Sequence, residues 1–194
     1  MNKIATITGL AVAATAMSAS ADMSGASNSL LNIDLRVVNQ ITITAKDGVS
    51  LASVTGSDSL GVYMADFYNS DPGSILETLV GGDLVSAGTI SDGTPNLYSF
   101  TGNFGLNFWS WTDDSPSVFT AGSLAFTGSA TWTLTAEDYA NLLSGNTTGS
   151  IYAFADSDDD IAGASLIGTW KVIPAPSSLA LLGLGGIVAG RRRR

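Results

Sequence analysis

Ser123-Leu124-Ala125-Phe126-Thr127-Gly128-Ser129-Ala130-Thr131-Trp132-Thr133-Leu134-Thr135 alternates apolar and hydroxyl-bearing side chains with a period of two. Leu124, Phe126, Ala130, Trp132 and Leu134 occupy even positions, with Gly128 among them; Thr127, Ser129, Thr131, Thr133 and Thr135 occupy odd ones. Successive side chains of a strand point to opposite faces, so the stretch predicts a strand with one buried and one wet face. Leu31, Ile33, Leu35 and Val37 repeat the pattern around Asn32, Asp34 and Arg36, as do Ile41 and Ile43 against Thr42 and Thr44. Further strands are expected at about 49–55, 60–68, 97–111, 150–155 and 165–173. Asp47-Gly48, Asp71-Pro72-Gly73, Gly81-Gly82-Asp83, Asp92-Gly93 and Ser144-Gly145-Asn146 separate these segments as turns. Many short strands at this spacing predict an all-β fold, a jelly-roll-like β-sandwich spanning residues 22–173. One helix interrupts it. Thr135 can cap the amide of Asp138, Tyr139, Leu142 and Leu143 share a face, and Gly145 ends the turn, which reads as a crossover between strands.

Composition removes several classes of chemistry. The chain has no histidine and no cysteine, which excludes Ser-His-Asp and Cys-His catalysis, disulfides, and zinc sites built on nitrogen or sulfur. No phosphate-cradling Gly-x-x-x-x-Gly-Lys motif is present. All seventeen acidic residues lie between Asp22 and Asp160, where Arg36 and Lys46 are the only cations, so this region carries a formal charge of −15. Such a surface repels nucleic acid and favours divalent cations and solubility.

Both termini carry transport signals. Lys3, the apolar and small-residue run Ile4 to Met17, and Ala19-Ser20-Ala21 make residues 1–21 a signal peptide with cleavage expected after Ala21. At the other end stand Pro174-Ala175-Pro176, an uncharged run from Ser177 to Gly190, and Arg191, Arg192, Arg193 and Arg194. As a helix the fourteen-residue run is about 21 Å long, short for a hydrocarbon core of about 30 Å. The four arginines stay cytoplasmic by the positive-inside rule, leaving the domain outside. Pro174 and Pro176 hold the intervening segment extended and accessible to a cleaving enzyme.

This order of elements resembles the PEP-CTERM sorting signal of bacteria with an exosortase, over residues 174–194. Ala175 stands where the family usually has Glu. The resemblance implies a short C-terminal transmembrane helix over 177–190, processing by signal peptidase and an exosortase-like enzyme, and an inner-membrane-anchored intermediate. Release to the cell surface or an exopolysaccharide matrix is the implied end.

Within the domain, two clusters are candidate sites. Asp156, Asp158 and Asp160 alternate like the first ligands of a calcium loop, but Ile161 and Ile167 occupy the positions that want Gly and a bidentate Glu. They are candidate Ca²⁺ ligands or a solvated turn, as are Asp113-Asp114. Trp109 and Trp111 fall out of phase with Phe104, Leu106 and Phe108 unless a bulge intervenes; on a wet face they would form a sugar-stacking platform, and behind a bulge they would be core. Tyr63, Phe67, Phe126, Trp132 and Trp170 read as core. No catalytic residue or cofactor stands out. The leading expectation is a non-enzymatic surface or matrix protein. A carbohydrate- or Ca²⁺-dependent binding module and a carboxylate-based polysaccharide-acting enzyme are its rivals.

Overall fold

The computed structural model describes residues 28–56, 61–88, 93–109, 117–154 and 161–173. Both transport signals lie outside these residues; among those described, no helix is long and apolar enough to cross a membrane. The strands are β1 (Ser29–Asp34), β2 (Gln40–Ala45), β3 (Val54–Gly56), β4 (Val62–Met64), β5 (Ile75–Gly82), β6 (Val85–Ser86) and β7 (Asn96–Ser99). There follow β8 (Leu106–Trp109), β9 (Ser117–Phe119), β10 (Phe126–Thr127), β11 (Ser129–Thr133), the helix α1 (Ala136–Ser144), β12 (Thr148–Ala153) and β13 (Ser165–Val172).

The architecture corrects the jelly-roll expectation. Among the described residues nine strands close into a barrel in the order β1-β13-β12-β4-β8-β7-β5-β11-β2, and two small sheets, β10-β6 and β3-β9, stand apart from it. Alternation within a strand reports one buried face, but is blind to whether that face meets a second sheet or the far wall of its own. Nine is odd, so strand directions cannot alternate all the way round. The one parallel pair is β1 with β13, joining Leu31 to Trp170 and Ile33 to Val172 across nearly the whole chain. Closure leaves these nine strands without an open edge, the feature that exposes sheets to unwanted pairing.

The interior is apolar. Leu31, Ile33, Ile41, Ile43, Phe108, Trp132, Ile151 and Trp170 are fully buried, and the expected core aromatics Tyr63, Phe67 and Phe126 are at most 4% exposed. Tyr63 belongs to a separate small cluster with Ala65, against Tyr152 and Ala164. The outer wall is rich in hydroxyl groups: Thr42 pairs with Thr131 and Thr44 with Ser129, Oγ to Oγ, at 2.8 Å. An apolar interior with a polar exterior is the inverse of a barrel that spans an outer membrane.

Several expected strands are altered in detail. The 123–135 stretch divides at Gly128, whose φ is +82° and where a Cβ would lie 2.2 Å from the Asp83 carbonyl oxygen, so only glycine fits there. Leu124 is then exposed, although Phe126, Ala130, Trp132 and Leu134 are buried as expected. The 97–111 segment is a hairpin, β7 and β8, whose turn is pinned by Asn103: its Oδ1 accepts from the Tyr63 hydroxyl at 2.9 Å and the Gly105 N–H at 2.8 Å. Phe104 lies in that turn and is exposed, while Leu106 and Phe108 point inward. β1 stops at Asp34, which leaves Val37 in an exposed turn. β5 contains Gly81-Gly82, expected to be a turn.

The helix follows its capping signal. Thr135 Oγ1 accepts from the Asp138 N–H at 3.1 Å and its hydroxyl donates to the Asp138 carboxylate, while the Gly145 N–H closes the other end on the Leu142 carbonyl. Leu142 enters the core with Tyr139 packed against it, but Leu143 is exposed, which separates it from the face it was expected to share with them. Replacing Thr135 by alanine is expected to cost about 1 kcal/mol of unfolding free energy in a denaturant titration.

Candidate functional site

The barrel has two unlike ends. β1 and β13 run side by side toward one of them, where the turn 35–39, the segment 65–74 and α1 also lie. The opposite end carries the start of β1, the two small sheets, and the ends of β8 and β12. The last described residues are held firmly at the α1 end: the Val172 N–H donates to the Thr147 carbonyl and the Ile173 N–H to the Ile33 carbonyl, both at 2.8 Å. Around them lies a cavity of about 100 Å³ lined in part by Leu35, Arg36, Leu142, Leu143, Val172 and Ile173.

Charge at this end is organised in two groups. Arg36 Nε lies 2.9 Å from both carboxylate oxygens of Asp34, and Nη2 completes the fork. The hydrogen bonds from Arg36 hold the Asp34 carboxyl below its usual range, and Asp34 raises Arg36 in turn. Deeper in, Glu77 on β5 is only 6% exposed, its buried Oε1 has no hydrogen-bond partner among the described residues, and Asp138 in the first turn of α1 is near enough for its charge to act on it. Burial first, then the Asp138 charge, pushes Glu77 up to about 7. Tyr68 beside them is raised by burial and by the same two carboxylates.

This pair was not legible in the sequence. Ile75, Glu77 and Leu79 share one phase of β5 while Leu76 and Val80 hold the other, so neither face stood out as inward. Only the crossover helix brings Asp138 to Glu77. A buried carboxyl beside a second carboxylate favours its protonated form, because burial and the like charge both penalise ionisation. Glu77 is therefore a protonation-sensitive position where the barrel meets the helix.

The candidate residues read from the sequence fare differently. Trp109 ends β8 opposite Asn96, but its side chain and all of Trp111 lie outside the described residues. So do Asp113, Asp114, Asp156, Asp158 and Asp160, the cleavage-site Ala19 and Ala21, the motif Pro174, Ala175 and Pro176, and Arg191 to Arg194. Among the described residues no group of three or more acidic side chains is placed to hold a metal ion.

Comparison with known families and proteins adds one finding. Residues 172–194 match the PEP-CTERM protein-sorting motif. Neither curated proteins nor solved structures return a match. The motif indicates an exported chain that an exosortase sorts through a membrane-anchored intermediate. Its first two matched residues, Val172 and Ile173, are already bonded into the barrel.

Proposed function

From an exosortase signal that continues directly out of a hydroxyl-walled barrel, we propose that the protein is a non-enzymatic component of the bacterial surface or exopolysaccharide matrix. In this reading it is released by cleavage beside Pro174 to Pro176. The outer wall supports the assignment. Across five adjacent strands, β12, β13, β1, β2 and β11, the outward positions include Thr148, Ser150, Thr169, Asn32, Thr42, Thr44, Ser129, Thr131 and Thr133. Asp34 and Lys171 are the charged residues there, while Asp47, Asp66, Asp71 and Asp83 lie in loops and Glu137 and Asp138 on α1. A wide, nearly neutral wall of hydroxyl and amide groups offers many weak hydrogen bonds to a polyhydroxylated chain, and repeated weak contacts accumulate into retention.

Mass spectrometry of the native C-terminus, combined with cell fractionation, tests this reading. A terminus between residues 173 and 178 in the extracellular or matrix fraction is expected; an intact Arg194 in membranes would refute release. Deleting the coding region should weaken the matrix, and an unchanged matrix would refute the structural role.

A second reading, a Ca²⁺- or carbohydrate-dependent binding module, draws on topology. β8, which leads toward Trp111, and β12, which leads toward Asp156 to Asp160, both flank β4 and end at the same end of the barrel. Blank results from both Ca²⁺ calorimetry and a glycan array would remove it.

A further inference from the structure

We infer that the α1 end of the barrel lies directly against the outer surface of the lipid bilayer while the tail is anchored, with Val37, Val38 and Leu143 in the interfacial layer. The inference rests on the sorting reading of the tail and adds to it an orientation and a contact surface. Ile173 is fixed to the barrel by its bond to Ile33. Only Pro174, Ala175 and Pro176 separate it from Ser177, where the apolar run begins. Four residue steps reach at most about 14 Å even when fully extended.

The shortness of the run reduces that reach further. A helix of about 21 Å falls about 9 Å short of a hydrocarbon core of about 30 Å, and a short span draws its flanking residues toward the membrane or thins it. Either adjustment brings the barrel down onto the headgroups. The orientation follows from the parallel pairing of β1 with β13, which sends the tail out at the α1 end.

The surface at that end suits the contact. Val38 is 69% exposed, Leu143 59% and Val37 57%, more than Val49, Leu51, Leu124 and Leu166 toward the opposite end, which are 38%, 47%, 41% and 42% exposed. Val37 and Val38 sit in the β1–β2 turn next to Arg36, and Arg36 and Leu143 line the cavity beside Ile173, so all three apolar residues lie at the end from which the tail leaves. Glu137, Asp66 and Asp71 are exposed in segments at this end and oppose binding to anionic headgroups. The contact is therefore sustained by the high effective concentration that a three-residue tether imposes. Cleavage of the tether removes that concentration, and the acidic barrel leaves the membrane.

The absence of cysteine makes the test direct. Val38→Cys and Leu124→Cys variants of the full chain, each labelled with an environment-sensitive dye, are reconstituted into phosphatidylcholine vesicles containing a lipid with a shallow quencher. Quenching is expected to be several-fold stronger at position 38 than at 124. It should fall when a flexible Gly-Ser segment is inserted between Ile173 and Pro174. Equal or absent quenching at position 38, in a chain that floats with the vesicles, overturns the inference while leaving the tail reading intact. A dye at position 38 that is shielded from water but not quenched by lipid means a second copy covers this end, and also overturns it. Quenching unaffected by the inserted segment overturns the tether argument. A chain that does not float with vesicles overturns the tail reading, and the inference with it.

Discussion

Replacing Trp132 by alanine is expected to lower the unfolding free energy by about 3–5 kcal/mol, a large share of the about 5–15 kcal/mol that holds a typical domain together. Trp132 is fully buried on β11 between Ile41 of β2 and Leu79 of β5. Its indole N–H donates to the buried Pro95 carbonyl at 3.0 Å, which ties the wall to the segment entering β7. Alanine leaves a cavity in the barrel and an orphaned carbonyl together. Trp132→Phe separates the two effects: it keeps most of the apolar volume and strands only the carbonyl, for a loss of about 1–3 kcal/mol. Urea titrations of both variants measure the difference. A loss below about 1 kcal/mol for Trp132→Ala would show that the barrel interior is not packed as described.

The stability of the protein should fall as pH rises from about 5 to 8, and Glu77 should be the cause. Its folded value of about 7 lies above the ordinary 4.5. A carboxyl raised in this way binds more protons folded than unfolded between those values, so its favourable contribution is complete below the ordinary value and is lost as pH passes 7. The shift corresponds to roughly 3 kcal/mol at full expression. With no histidine or cysteine in the chain, no other side chain has an ordinary value in this window, which makes the effect easy to isolate. Glu77→Gln keeps the shape of the side chain, removes its charge and should flatten the profile. Thermal unfolding at several pH values decides the matter. A flat wild-type profile, or a slope that persists in Glu77→Gln, would rule out Glu77 as the titrating group between β5 and α1.

Much of the chain could be read locally. The alternation from Phe126 to Leu134 placed the right side chains inward, and Thr135 and Gly145 bounded the helix they were expected to bound. The hairpin within 97–111 was hidden because Phe104, Leu106 and Phe108 keep strand phase across the end of a turn stabilised by Asn103, a contact with Tyr63 forty residues away. The Glu77–Asp138 pair was hidden for a related reason: both faces of β5 are partly apolar, and Asp138 reaches Glu77 only after the helix crosses between strands.

The sequence by itself determined that the domain is built of strands with one wet, hydroxyl-rich face, that it is strongly acidic and free of histidine and thiol chemistry, and that its tail is a sorting signal. These are properties of residue type and short-range spacing. Tertiary structure alone decided that the sheet closes into a barrel, that Glu77 meets Asp138, and that the sorting signal leaves beside α1 with no intervening linker. The physical reason is that strand pairing is made by backbone N–H and C=O groups, which are the same at nearly every residue. The joining of Ile33 to Val172 therefore leaves no local mark in either segment.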